Sequence, residues 1–158
     1  MIIEKKEADY NMFEWWHKVV FKNYATFSGR ARRKEFWYFF LLNTLILFSL
    51  SFFMGMVMGA VVSSDGNAAD TVSIIMLILF FGFYLVMLIP FLAVSARRLH
   101  DTGKSGWWTI ICIIPYVSLI GWIILIVFWA SAGEKGPNQY GLDPKGNNDL
   151  EIDKIGTE

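Results

Sequence analysis

The sequence predicts an all-α membrane protein: three transmembrane helices plus an N-terminal amphipathic interfacial helix. Three observations carry that reading. Apolar residues make up 55% of the 158 and charged residues only 18%, against roughly 25% charged in a soluble domain. The charge is also segregated, because residues 36–64, 71–96 and 105–133 contain no Asp, Glu, Lys or Arg. Each of these stretches exceeds the roughly 20 residues that a helix needs to cross about 30 Å of hydrocarbon. None keeps the polar face of a soluble core helix, so a soluble helical bundle is the weaker alternative.

Taken in order, residues 1–9 read as a polar N-terminal tail. They show no apolar run and no small-residue cleavage site, so the first span is expected to direct insertion itself. Residues 10–145 read as a single membrane domain. Its first element, residues 10–22, sets Phe13, Trp16 and Val20 on one face, flanked by Met12, Trp15 and Val19, with Glu14, Lys18 and Lys22 elsewhere. That pattern predicts a helix lying in the membrane interface, where tryptophan is favoured; the alternative is a helix packed on its own protein.

The first span runs from about residue 36 to 62. Ser51, Gly55, Gly59 and Ser63 recur every fourth residue and form a helix-packing stripe. Small residues so spaced let two membrane helices approach closely, whether the partner is another span or a second copy. A polar loop, SDGNAAD, leads to the second span at about 71–96, where Pro90 bends the helix or leaves a carbonyl for a neighbour to satisfy. Asn43 is expected to hydrogen-bond between helices.

The third span covers about 107–132. Trp108 and Trp129 lie 21 residues apart, about 32 Å along a helix, which matches one tryptophan in each interfacial belt. Trp37 and Trp107 are read as further interface anchors, and Trp122 as facing a protein neighbour. Pro115, Ser118 and Gly121 also permit a broken or re-entrant segment. Residues 146–158 read as a disordered tail.

Orientation follows from basic residues near the spans. Eight Lys or Arg precede the first span, none lies in the first loop, and Arg97, Arg98 and Lys104 lie in the second. Three crossings then put the N-terminus in the cytoplasm and the tail outside; a re-entrant turn would return the tail inside.

Two charged clusters flank the spans on that cytoplasmic side: FSGRARRKEFW at residues 27–37 and ARRLHDTGKSGWW at 96–108. With GPNQYGLDP near the C-terminal end, they resemble the domain of unknown function 805 family, the YhaH/YhaI-like bacterial inner-membrane proteins. The matching residues are Gly29, Arg30, Arg33, Glu35 and Trp37; Arg97, Arg98, His100, Asp101, Gly103, Ser105, Gly106 and Trp107; then Gly136, Asn138, Tyr140, Gly141, Asp143 and Pro144. The resemblance spans about residues 13–145. It implies a bacterial inner (plasma) membrane location and supplies no biochemical activity.

Physically, a basic rim attracts anionic lipid, worth about 1 kcal/mol per basic residue near the surface. Arg30, Arg32, Arg33, Glu35, Arg97, Arg98, His100, Asp101 and Lys104 are therefore the candidate lipid- or partner-binding residues. The plainer reading is that these charges set topology and brace the first span against the second through pairs made by Glu35 and Asp101.

Other chemistry is poorly supported. Gly103-Lys104-Ser105 lacks the earlier glycine of a phosphate-binding loop, since residue 98 is Arg. His17, His100 and Cys112 are too scattered for a metal site, and no catalytic constellation or cofactor motif is present. His100 and Asp101, as neighbours, are expected to point apart rather than act as an acid–base pair. The N-terminal aromatics fit the interface better than nucleic acid. The expectation is a non-enzymatic interaction or anionic-lipid-associated module, able to form a homo-oligomer. The alternative is a small oligomeric transporter or channel, which the lack of charge within the spans disfavours.

Overall fold

The structure, a computed structural model, describes residues 7–62, 67–112, 114 and 118–146. The described residues are helical, with no strand beyond one isolated antiparallel bridge between Asn138 and Gly141. They include helices α1 (Met12–His17), α2 (Arg33–Val62), α3 (Asn67–Asp101) and α4 (Ser118–Ala130). The chain divides into two compact units. One comprises Met1–Tyr24 with Tyr38–Phe91, the other Ala25–Trp37 with Leu92–Glu158.

In the first unit, α1 starts at a reciprocal cap. Asn11 Oδ1 accepts from the Glu14 backbone N–H at 2.9 Å, and Glu14 Oε2 accepts from the Asn11 N–H at 2.6 Å. Each bond satisfies a donor that the helix start would otherwise orphan. A π turn over Lys18–Lys22 follows directly. The buried residues of this segment are Trp15, Val19 and Val20. Of the face expected to lie in the interface, Phe13 is 67% exposed, Trp16 half-buried and Val20 buried.

Helices α2 and α3 are the only two among the described residues long and apolar enough to cross a membrane. Their large side chains largely face outward in the first unit, including Phe48, Phe52, Met56, Ile78, Leu79 and Leu85. Pro90 sits inside α3 and donates no bond to the carbonyl four residues earlier. That carbonyl belongs to Val86, and the Tyr24 hydroxyl donates to it at 2.7 Å. Among the described residues the cross-helix bond expected of Asn43 is not made, and its Oδ1 is buried without a donor. Ser51 hydrogen-bonds back to the Leu47 carbonyl of its own helix at 2.8 Å. A Cβ built at Gly55 or Gly59 would meet nothing within 4 Å, and Ser63 lies outside the described residues.

The second unit departs most from expectation. No single helix runs over 107–132. A 3-10 segment at Gly106–Cys112 and helix α4 take its place, and they pack on each other. Trp108 meets Phe128 edge-on, with ring centroids 5.6 Å apart. Lys104 Nζ lies 4.6 Å from the centroid of the same Phe128 ring. Gly121 permits the approach, because a Cβ there would stand 2.9 Å from Ile111 Cγ2. The start and end of the segment are thus neighbours, and Trp108 and Trp129 do not mark opposite belts. At 1.5 Å per residue, α4 is about 20 Å long, too short to cross the hydrocarbon by itself. Beyond α4 the chain comes back to the end of α3, where the Glu134 N–H donates to the Asp101 carbonyl at 2.8 Å.

Candidate functional site: a buried arginine and carboxylate cluster

The last turn of α3 gathers three separate stretches of the second unit. Asp101 is 2% exposed and holds two guanidinium groups. Arg30 donates to its Oδ1 through Nε at 2.9 Å, and Arg98, one helical turn earlier, pairs with Oδ2. Arg30 also donates to the Gly136 carbonyl at 2.6 Å and to the Glu134 carbonyl. Arg98 is fully buried and donates to the carbonyls of Trp129 (2.9 Å) and Ser131. These carbonyls close α4, where helix ends leave acceptors without intrahelical partners. A cation there also complements the negative end of the helix dipole.

Arg97 forms a second buried pair, donating from Nη1 to Glu35 Oε1 at 2.7 Å. Among the described residues its Nε and Nη2 are buried without an acceptor. The Ala31 N–H donates to the Arg97 carbonyl at 3.0 Å, tying residues 30–35 to α3 by backbone as well as side chain. Phe36 and Trp129 pack beneath, with ring centroids 4.6 Å apart.

His100 turns away from Asp101. Its Nδ1 lies 3.1 Å from the Gly29 carbonyl, which makes that nitrogen the protonated donor. Its ring stacks on Tyr140 at 3.9 Å and 5°. Asn138 donates through Nδ2 to the His100 carbonyl and to Glu134 Oε2, both at 2.9 Å. Gly103 then turns the chain with φ +70°, and a Cβ there would collide with the Glu134 carboxylate. At the next turn, Asp143 accepts from the backbone N–H of Lys145 at 2.9 Å and of Gly136 at 3.2 Å. These bonds, Lys145 first, hold its carboxyl below the ordinary carboxylate range.

Arg30, Glu35, Arg97, Arg98 and Asp101 are thus buried and occupied by one another or by backbone. Arg33 is exposed, with one long bond to the Ala130 carbonyl at 3.4 Å. Arg32 and Lys104 are half-buried, and Lys34 is exposed. Among the tryptophans read as anchors, Trp107 and Trp108 are exposed, Trp37 is half-buried, and Trp129 is a core residue at 1% exposure. Trp122 packs against Trp129 at 6.1 Å. Sequence reasoning left out of the site the acceptors that Arg30 and Arg98 use: backbone carbonyls carry no side-chain signal. It also left out Asn138 and Tyr140, although GPNQYG contains both.

The described residues are all-helical, with two helices long and apolar enough to cross a membrane, which fits an α-helical membrane protein. The chain belongs to the family described as protein of unknown function DUF805, whose model matches residues 24–142. Its relatives include inner membrane protein YhaH of Escherichia coli K12, 40% identical over 130 residues, covering 82% of this chain and 96% of the relative. Inner membrane protein YhaI of the same strain is 39% identical over 130 residues, covering 82% and 95%. Uncharacterized protein YiiR, also of that strain, is 31% identical over 144 residues, covering 75% and 85%. No solved structure matches.

Proposed function

We propose that this protein is a non-enzymatic inner-membrane module that gathers anionic lipid at its cytoplasmic face. In this reading α2 and α3 cross the bilayer, and residues 106–130 form a re-entrant hairpin that enters and leaves on one side. The N-terminal region, the loop after α3 and the stretch after α4 then all lie in the cytoplasm, the side favoured by the basic residues. The exposed Phe13 and Phe21 of the N-terminal segment suit an interfacial position.

One observation carries the proposal. Arg30, Arg97 and Arg98 are consumed inside the second unit, whereas Arg33 and Lys34 at the start of α2 are exposed. The buried arginines then brace the fold, and the exposed cations, with Lys104, are left to meet headgroups. The test is native mass spectrometry of full-length protein taken from bilayers of mixed phosphatidylglycerol and phosphatidylcholine. Retained phosphatidylglycerol that falls when Arg33, Lys34 and Lys104 are changed to Gln supports the reading. Equal retention of both lipids contradicts it. The closed ring of several copies expected of a pore would favour the transporter alternative.

A further inference from the structure

Beside the charged cluster, the second unit contains a cleft of about 570 Å³. Leu92 and Ala96 of α3 form one wall, and Ile110 of the 3-10 segment forms another. Phe27 and Trp107 stand at its margin, with Trp107 78% exposed. The size falls within the roughly 300–1,000 Å³ of small-molecule sites, which pair apolar walls with a few convergent polar groups.

The polar groups here are specific. His100 lines the cleft, and because Nδ1–H is committed to the Gly29 carbonyl, Nε2 of the neutral ring is a lone-pair acceptor. Gly106 lacks the Cβ that would stand 3.3 Å from Nε2. The Tyr140 hydroxyl has no partner among the described residues, and the Ser105 hydroxyl accepts a weak bond from the Trp107 N–H at 3.4 Å while its own proton stays available. The cleft therefore offers the His100 acceptor and the Tyr140 and Ser105 hydroxyls, each able to donate or accept, on a mostly apolar bed, while the Thr109 hydroxyl already donates to the Gly106 carbonyl at 2.7 Å. Among the described residues no Lys, Arg, Asp or Glu lines it.

That composition selects a ligand. A phosphate headgroup would be desolvated there with no cation to compensate, and burying an unpaired charge is strongly unfavourable. A hydroxyl or carbonyl oxygen would find both donor and acceptor, and an apolar tail would lie along Leu92 and Ile110. We infer that this cleft binds one uncharged membrane amphiphile whose polar end is a hydroxyl or carbonyl. Such a group is supplied by a quinol ring or by a diacylglycerol. The inference goes beyond the anionic-lipid reading and uses different residues, sharing with it only the placement in the membrane.

The test uses the full chain in detergent micelles and three probes: dioctanoylglycerol, a decyl-substituted benzoquinol, and dioctanoyl phosphatidic acid. One neutral probe is expected to bind one-to-one, and which one binds identifies the source. Tyr140→Phe keeps the stack on His100 but removes the hydroxyl, and should weaken binding by about fivefold, the usual loss for one neutral hydrogen bond. Ile110→Trp fills the cleft and should abolish binding while thermal melting confirms that the variant folds. Arg33→Gln with Lys34→Gln should leave neutral binding unchanged, which separates this site from the basic rim. Preference for phosphatidic acid, absence of neutral binding, or neutral binding indifferent to both cleft variants would overturn the inference.

Discussion

The two units solve the problem of polarity in opposite ways. In the first, α2 and α3 present mostly apolar side chains outward, and few polar groups need internal partners. In the second, five buried charged residues are held by one another and by the carbonyls that end α4. A bilayer can serve as solvent for the first surface, so its side chains are interchangeable within the apolar class. It cannot solvate guanidinium and carboxylate groups, so the second depends on each partner being present.

That contrast can be broken most directly at Asp101. Asp101→Ala leaves Arg30 and Arg98 buried with no counter-charge, and removing one partner of a buried pair costs about 3–5 kcal/mol. Thermal unfolding in mild detergent should show a large loss of stability; an unchanged melting temperature would mean that the cluster does not hold the unit. Glycines sharpen the same comparison. Gly103→Ala must adopt left-handed backbone at φ +70° and should cost about 1–2 kcal/mol. Gly55→Ala in α2 has room for its methyl group and should leave melting unchanged within about 0.5 kcal/mol.

In the first unit, Tyr24 carries a polar dependence of moderate size. Tyr24→Phe removes the donor from the Val86 carbonyl that Pro90 has freed, for an expected loss of about 1–3 kcal/mol. Pro90→Ala restores the helical N–H, so Tyr24→Phe should cost clearly less in that background. Additive losses in the double variant would refute the coupling. The smallest effect concerns Asp143, whose carboxyl is held low by the backbone N–H groups of Lys145 and Gly136. A lowered folded-state pKa contributes stability above the ordinary carboxylate value and loses it as pH falls through the lowered one. Amide exchange over residues 136–146 should therefore gain protection as pH rises through the carboxylate range once intrinsic rates are removed, and Asp143→Asn should abolish that dependence.

Much of this was legible in the sequence. The charge-free runs located α2 and α3, and the two arginine clusters with their single carboxylates predicted bracing pairs. The bent third segment was only half legible. An unbroken apolar run from 105 to 133 looks like one span, and the 21-residue separation of Trp108 and Trp129 fits a bilayer. Only contacts such as Trp108 on Phe128 distinguish a hairpin from a rod. The π turn at Lys18–Lys22 was not legible, because a helical wheel assumes one period throughout. The pairing with Asp101 was legible, but the other acceptors of Arg30 and Arg98 are carbonyls of residues 129–136, which carry no side-chain signal.

The proposed re-entrant topology returns the segment after α4 to the side from which the hairpin began. With Cys112→Ser as background, single cysteines at Lys34 and Gln139 can be probed with a membrane-impermeant maleimide in right-side-out and inverted vesicles. With that topology both label only in inverted vesicles. Labelling of Lys34→Cys and Gln139→Cys from opposite sides would contradict it.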